Sequence, residues 1–382
     1  ANNFNDSEGL KALNAPLVVD FCDKCRCIQL RDCLDEEFLY SHYTYMTPDI
    51  KSLTKHYLML INYLSSKSFL NDKARCLEIG SNTGLFLQKL RSRVSSVLGV
   101  DPAENISKIA NELGVETIQS FFNVLTSKEI LRKKGKFDLV IARHMFAHNS
   151  DPKDMLEGIN ALLSSKGIIM IENAYAIPTL LNGEFDQIYH EHMFYYTVQS
   201  MNNLLEHSEF ELIDLLDSSL HGGSIVFFAA RKKQRIVSNK IEGYLEEEER
   251  HFNRDKIFIN FNNRIKSLRD NILAEINKDL NEKKLVGAYG ATAKSFTMFS
   301  YLELDHEKIS YCIDTTPTKI GKFFPHFDIK VISEEEFKQN PVDTLLVTAW
   351  NYKNHIIAKS KSIFPKGTKL IFPLPTFEIY IV

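Results

Sequence analysis

The sequence predicts an α/β protein: a doubly wound, mainly parallel sheet followed by a second, smaller α/β domain. Two observations carry that expectation. From about residue 74 to residue 173, short apolar runs with strand character alternate with helical patterns, the βαβα rhythm that builds a parallel sheet. After a charged stretch at 232–284, a second alternation starts at Leu285. The 382 residues are enough for more than one domain, and a composition of 44% hydrophobic and 25% charged residues can bury sizeable cores.

The elements follow in order. Residues 1 to about 48 show little periodicity, and an apolar-periodic helix covers roughly 50–64. ARCLEI (74–79), SSVLGVD (95–101), VETIQ, FDLVIA (137–142) and GIIMIEN (167–173) read as strands. Between them, LFLQKLRS, NISKIANEL, a stretch near 124–132 and PKDMLEGINALLSS read as helices. FELIDLLD and SIVFFAA close the sheet near Arg231. The charged segment, with EEEER at 246–250, reads as a solvated pair of linker helices. LVGAYG, ISYCID, TLLVTAW and KLIFPLP supply the second set of strands, with AKSFTMFSYL a helix. The expected domains are 1–48, 49–232, a linker at 233–284, and 285–382.

Bulk properties exclude several function classes. A formal net charge of -3 gives no general attraction to nucleic acid or anionic membrane. No apolar run reaches the length of a spanning helix, and the first residues show no signal-peptide core, so a cytoplasmic protein is expected.

Two stretches carry chemistry. E-x-G-x-x-x-G over 78–84 follows a strand and opens a helix. Gly80 permits a sharp bend and Gly84 a close approach, so the turn suits a ligand held by backbone N–H groups. Asp101 ends the next strand, where an acid can accept hydrogen bonds from both hydroxyls of a ribose. Phe121 and Phe122 follow the third strand and could cover an adenine, and Arg143 and His144 end the fourth. The bland alternative is an ordinary strand-to-helix turn. The second stretch, FDQIYHEHMFYY, gathers Asp186, Tyr189, His190, Glu191 and His192 among aromatics. Proton transfer near neutral pH needs such groups. On a strand, His190 and His192 would share a face and could instead bind a metal. Hydrogen-bonded structural residues are the third reading, and the same holds for His148 and for His221 in HGGS.

These residues bring a family into view. The chain resembles the three-domain sugar-nucleotide C-methyltransferases, typified by enzymes that methylate C-3 of dTDP-4-keto-6-deoxysugars. The likeness runs nearly end to end, through ANNF, PLVVDFCDKCRCIQL, HYTYMTPDIKSLTKH (42–56), LEIGSNTG, FDQIYHEHMFYY, HGGS, GAYGATAK (287–294), CIDTTPTKIGKFFP (312–325), TAWN and FPLP. It implies a class I methyltransferase sheet, a Rossmann-like C-terminal domain and S-adenosylmethionine as methyl donor. It implies a cofactor site of Glu78, Gly80, Asn82, Gly84, Asp101, Phe121, Phe122 and Arg143. Tyr189, Glu191 and His192 would line a sugar pocket, joined by His148 and by Tyr43 or Tyr45. His192 is the expected base, with Tyr189 the other candidate. His221 and Gly222 of HGGS, together with Tyr289, Lys294 and Asp314, would meet the nucleotide-sugar substrate, Lys294 and the second glycine turn holding a pyrophosphate.

The resemblance is not uniform. Ser295 stands where a glycine is usual, Pro325, His326 and Phe327 replace a proline-glycine run, and Val226 replaces a frequent arginine. Cys22 and Cys25 have zinc-ribbon spacing but form half of a four-cysteine site. The family carries an earlier pair ahead of ANNF, so an incomplete zinc-ribbon-like segment is expected, with structural zinc open. Cys76 and Cys312 read as core thiols. Rival functions are an O- or N-methyltransferase on another small molecule and a non-catalytic nucleotide-sugar-binding protein. Neither nucleic acid nor membrane is an expected partner, and the sequence does not specify the oligomeric state.

Overall fold

A computed structural model describes residues 4–9, 15–41, 43, 45–218, 220–252 and 256–382, with only the backbone of His221. The chain forms two compact units, each assembled from separated stretches: Val19–Ala176 with Met193–Arg250, and Ala1–Val18 with Ile177–His192 and His251–Val382. Among the described residues, no helix is long and apolar enough to cross a membrane.

The larger unit opens with β1 (Val19–Phe21), β2 (Ile28–Leu30), α1 (Glu36–Tyr40) and α2 (Lys51–Ser66). Then β3 (Arg75–Ile79), α3 (Leu85–Leu90), β4 (Ser96–Asp101), α4 (Glu104–Glu112), β5 (Thr117–Gln119), α5 (Val124–Lys134), β6 (Phe137–Arg143), α6 (Pro152–Leu162) and β7 (Leu163–Ala174) alternate as expected. After α7 (Ala176–Asn182) come β8 (Phe194–Tyr195), α8 (Val198–Glu206), β9 (Phe210–Ser218), β10 (Ser224–Arg231) and α9 (Lys240–Phe252). The seven-stranded sheet has the order β5-β4-β3-β6-β7-β10-β9, parallel from β5 to β7, with β10 antiparallel to both of its neighbours. This is the class I methyltransferase sheet that the sequence predicts.

Its core follows from periodicity. α2 buries His56, Tyr57, Leu60, Ile61 and Leu64, a stripe at helical spacing. They pack with Cys76, Phe86, Leu139, Ile141, Met170, Val226 and Phe228. Cys76 is a core thiol as expected, its pKa pushed up to about 12 by burial. Helix α6 ends earlier than the sequence predicts, because the Arg231 guanidinium takes the carbonyls of Asn160, Leu163 and Ser164 at 2.7, 3.0 and 2.6 Å. With those acceptors satisfied from another strand, the chain enters β7 at Leu163.

The smaller unit contains α10 (Lys256–Asn281), β11 (Val286–Tyr289), α11 (Ala293–Leu302), β12 (Cys312–Ile313), β13 (Val331–Ile332), α12 (Glu334–Gln339), β14 (Thr344–Val347), α13 (Lys353–Ile363), β15 (Lys369–Phe372) and β16 (Glu378–Ile381). Its sheet runs β13-β12-β11-β14-β15-β16, parallel except for β16. Cys312 is buried in β12 as a core thiol. Helix α10, expected as a solvated linker, instead buries Ile257, Phe261, Leu268, Ile272 and Ile276. Its buried Asp279 accepts hydrogen bonds from Thr344 and Lys369, both at 2.7 Å, which pins the helix to β14 and β15.

Leu60 has no exposed surface. Leu60→Ala should destabilise the chain by about 2–5 kcal/mol, measured by urea denaturation, since a buried leucine loses both transfer energy and packing.

Candidate active site

The glycine turn joins β3 to α3. Gly80 and Gly84 have φ of 65° and 76°, in the left-handed region. A Cβ on Gly80 would lie 2.6 Å from the Met145 side chain, and one on Gly84 would lie 2.9 Å from Val115. The turn hangs on β4: Gly80 N–H donates to Val100 O at 2.7 Å, and Asn82 N–H to Asp101 Oδ2 at 2.9 Å. The other Asp101 oxygen accepts Ala103 N–H at 3.1 Å. Burial pushes the Asp101 pKa up to about 6, against the opposing pull of these two amides. Each carboxylate oxygen keeps a second lone pair for a ribose hydroxyl. Ser81 Oγ is buried beside this turn without a hydrogen-bond partner among the described residues. A cradle that no side chain could share, a buried acid and an orphaned hydroxyl fit S-adenosylmethionine.

Four of the predicted cofactor residues make contacts elsewhere. Glu78 is fully buried and receives the Arg143 guanidinium at 2.7 and 2.8 Å. Arg143 in turn lies between the rings of Tyr57 and Phe86, 4.5 and 4.3 Å from their centroids. Both Arg143 contacts fall on Glu78 Oε1, so the pair is buried together while Oε2 has no hydrogen-bond partner among the described residues. Phe122 is also buried, packed near Gly158 of α6 rather than displayed. Phe121 remains half-exposed. Asn82 turns its side-chain amide to the backbone of Tyr45 and Thr47.

At the carboxyl end of β6 the sequence reading missed a network. Glu172 of β7 is fully buried, 2.8 Å from His56 Nε2 and 3.7 Å from His144 Nε2. Burial raises its pKa, but the two imidazoles more than offset this and hold it well below the usual range. The legible signal was one acid inside the apolar run GIIMIEN. His148 stacks on Tyr40 with centroids 5.8 Å apart, and Tyr40 meets Tyr43, which meets Tyr45. Burial, then neighbouring His144, drive the His148 pKa down to about 3, so it is a neutral imidazole at working pH. Gly222 lies in the turn before β10, and the side chain of His221 lies outside the described residues.

The acid-base run lies in the smaller unit. It forms a turn rather than a strand, closed by His192 N–H to Tyr189 O at 2.9 Å. His192 Nδ1 is 2.9 Å from Gln187 O, an acceptor, so Nδ1 carries the proton. Nε2 therefore accepts, and the Tyr189 hydroxyl donates to it at 2.8 Å. His190 instead pairs with Pro16 O at 3.1 Å. The two histidines part company, and no cluster of three or more His, Cys, Asp or Glu among the described residues could hold a metal. Glu191 is buried and its charge acts on buried Lys319.

The second glycine turn is closed by its own side chains. Ala291 N–H donates to Asp314 at 2.7 Å, Thr292 N–H to Ser295 Oγ at 3.0 Å, and Ser295 Oγ to Gly290 O at 2.6 Å. Ser295, the residue out of pattern, is thus the staple of this turn. Tyr289 donates to Glu334 at 2.7 Å. Lys294 is buried 4.3 Å from the centroid of the Trp350 ring and faces Asp186 and Glu184. Burial pushes Glu184 up to about 7. Cys22 and Cys25 are free thiols in the turn between β1 and β2, hydrogen-bonded to each other, with Cys22 also accepting backbone N–H groups. Nothing in this pair supports a bound zinc.

Residues 51–215 match the family described as a methyltransferase domain, and residues 219–375 match the C-methyltransferase C-terminal domain. The chain is 33% identical over 362 residues to the C-methyltransferase NovU of Streptomyces niveus, covering 94% of this chain and 86% of that protein. The chain belongs to the C-methyltransferase family. It is an S-adenosylmethionine-dependent methyltransferase. The methyltransferase is also 23% identical over 199 residues to a tRNA U34 carboxymethyltransferase of Campylobacter jejuni, covering 48% of this chain and 65% of that one. A solved magnesium protoporphyrin IX methyltransferase from Synechocystis, with bound SAM, aligns at 14% identity over 52% of this chain and 99% of that one, with a TM-score of 0.39. That score is too low to add to the assignment.

Removing one member of a buried ion pair strands the other. Glu78→Ala should cost the methyltransferase about 3–5 kcal/mol, read by urea denaturation.

Proposed function

We propose that the protein is a C-methyltransferase acting on a nucleotide-linked keto-deoxysugar, removing the proton α to the ketone and methylating the resulting enolate carbon. The observation that carries this reading is the Tyr189–His192 hydrogen bond with its tautomer set by Gln187. An imidazole held with Nε2 as acceptor draws the proton of the phenol, so Tyr189 is the group that meets the substrate C–H and His192 the store for its proton. The end-to-end likeness to sugar-nucleotide C-methyltransferases and the relative NovU support it.

S-adenosylmethionine supplies an electrophilic sulfonium methyl. On this reading Gly80, Gly84, Ser81 and Phe121 hold it, and Asp101 takes its ribose hydroxyls. His148, neutral at working pH, donates a hydrogen bond to the developing enolate oxygen without giving up a full proton. Glu191 binds a sugar hydroxyl, and Tyr43 or Tyr45 completes the substrate contacts with Gly222 and His221. The smaller unit, read as Rossmann-like, receives the nucleotide through Tyr289 and the edge around Asp314.

The test is incubation with S-adenosylmethionine and a panel of 4-keto nucleotide sugars in deuterated water. The expected outcome is solvent exchange at C-3 and a carbon-bound methyl by NMR. A methyl on oxygen or nitrogen would favour the rival methyltransferase reading. Neither exchange nor transfer across a broad panel, with cofactor bound, sinks the proposal. Tyr189→Phe and His192→Ala should each lower exchange by about 10²–10⁴ while leaving affinity for S-adenosylhomocysteine near normal.

Cofactor affinity should also depend on pH through Asp101. Its folded pKa of about 6 means that it is ionised above that pH and protonated below. Ribose hydroxyls donate to the ionised form, so affinity for S-adenosylhomocysteine should be flat above pH ~6 and fall by up to about tenfold per pH unit below it. Asp101→Asn should bind more weakly throughout and lose that step, measured by calorimetric titration.

A further inference from the structure

We infer that Asn82 and Asn105 are positioning residues that couple cofactor binding on the glycine turn to the order of the tyrosine-bearing segment at 43–47. Within the turn, the Asn82 side chain is given to the tyrosine-bearing segment. Its Oδ1 accepts Thr47 N–H at 2.9 Å and its Nδ2 donates to Tyr45 O at 3.1 Å. The amide thereby meets the segment as a neighbouring peptide group would, taking a carbonyl and the N–H two residues on. Asn105, on the first turn of α4, donates to Tyr43 O at 2.8 Å. Both asparagines flank Asp101, the acid of the cofactor site.

The coupling has a physical origin in the Asn82 backbone. Its φ of 48° is left-handed, a conformation that Asn tolerates at some cost. Two sets of bonds hold it there: Asp101 grips its N–H at 2.9 Å, and the tyrosine segment grips its side chain. Whatever immobilises the turn and Asp101 stabilises that pose and with it the segment. By linkage, the ordered segment strengthens cofactor binding by the same factor. The rings of Tyr45, Tyr43 and Tyr40 carry this order to His148. The inference rests on the reading that this turn holds S-adenosylmethionine.

Hydrogen exchange of the full chain with and without S-adenosylhomocysteine tests it. In the wild type, the ligand should slow exchange at 98–103 and, at least tenfold, at 45–50. Asn82→Gly keeps the left-handed backbone available but removes the amide. It should abolish the effect at 45–50, keep protection at 98–103, and weaken binding by a matching factor. Asn82→Asp, which keeps an acceptor for Thr47, should restore part of both. Asn105→Ala should release the Tyr43 end with Asn82 intact. Protection at 98–103 with unchanged exchange at 45–50 in the wild type, or a full effect at 45–50 in Asn82→Gly, overturns the coupling alone. No protection at 98–103 in the wild type overturns the cofactor placement and the coupling with it.

Discussion

A carboxylate removed from water must find a partner, and the larger unit carries three of them near the carboxyl ends of parallel strands of one sheet. Glu78 ends β3 against Arg143, Asp101 ends β4 against two backbone amides, and Glu172 lies on β7 between His56 and His144. The remaining structure of the crevice depends on how each is satisfied. A desolvated acid without a partner would cost several kcal/mol. Glu78 and Glu172 are locked by side-chain charges and serve as structure. Asp101 is met by N–H dipoles alone, and burial lifts its pKa to about 6.

The same reasoning separates residues that share a motif. Glu78 and Asn82 belong to the glycine turn by sequence, yet one is consumed by Arg143 and the other by the tyrosine segment. His190 and His192 are two residues apart, yet one meets Pro16 O and the other accepts the Tyr189 hydroxyl hydrogen bond. In each case a backbone carbonyl or amide determines what the side chain has left to offer. For His192 that is Gln187 O, which sets the tautomer and leaves Nε2 as an acceptor.

The smaller unit shows how a glycine turn can lose its openness. Ser295 and Thr292 close a reciprocal cap on α11, and Asp314 takes the Ala291 amide. A turn whose donors are already paired, with a carboxylate beside it, presents less to a phosphate than its spacing suggests. Lys294 follows the same economy of charge: it faces the buried Asp186 and Glu184 instead of solvent.

The sequence by itself determined the alternation of strands and helices, the burial of Cys76 and Cys312, the two glycine turns and the gathering of Tyr189 and His192 in one short segment. Each is a local property, set by side-chain periodicity, by backbone conformations open to glycine, or by neighbours a few residues apart. Only the tertiary structure decided where α6 stops, that α10 packs on a sheet, that Arg143 pairs with Glu78 and Lys294 is buried against the Trp350 ring, and that Glu172 joins His56 to His144. Those outcomes depend on residues tens to more than a hundred positions apart. Charge pairing and hydrogen-bond satisfaction act across space, and no spacing along the chain records them.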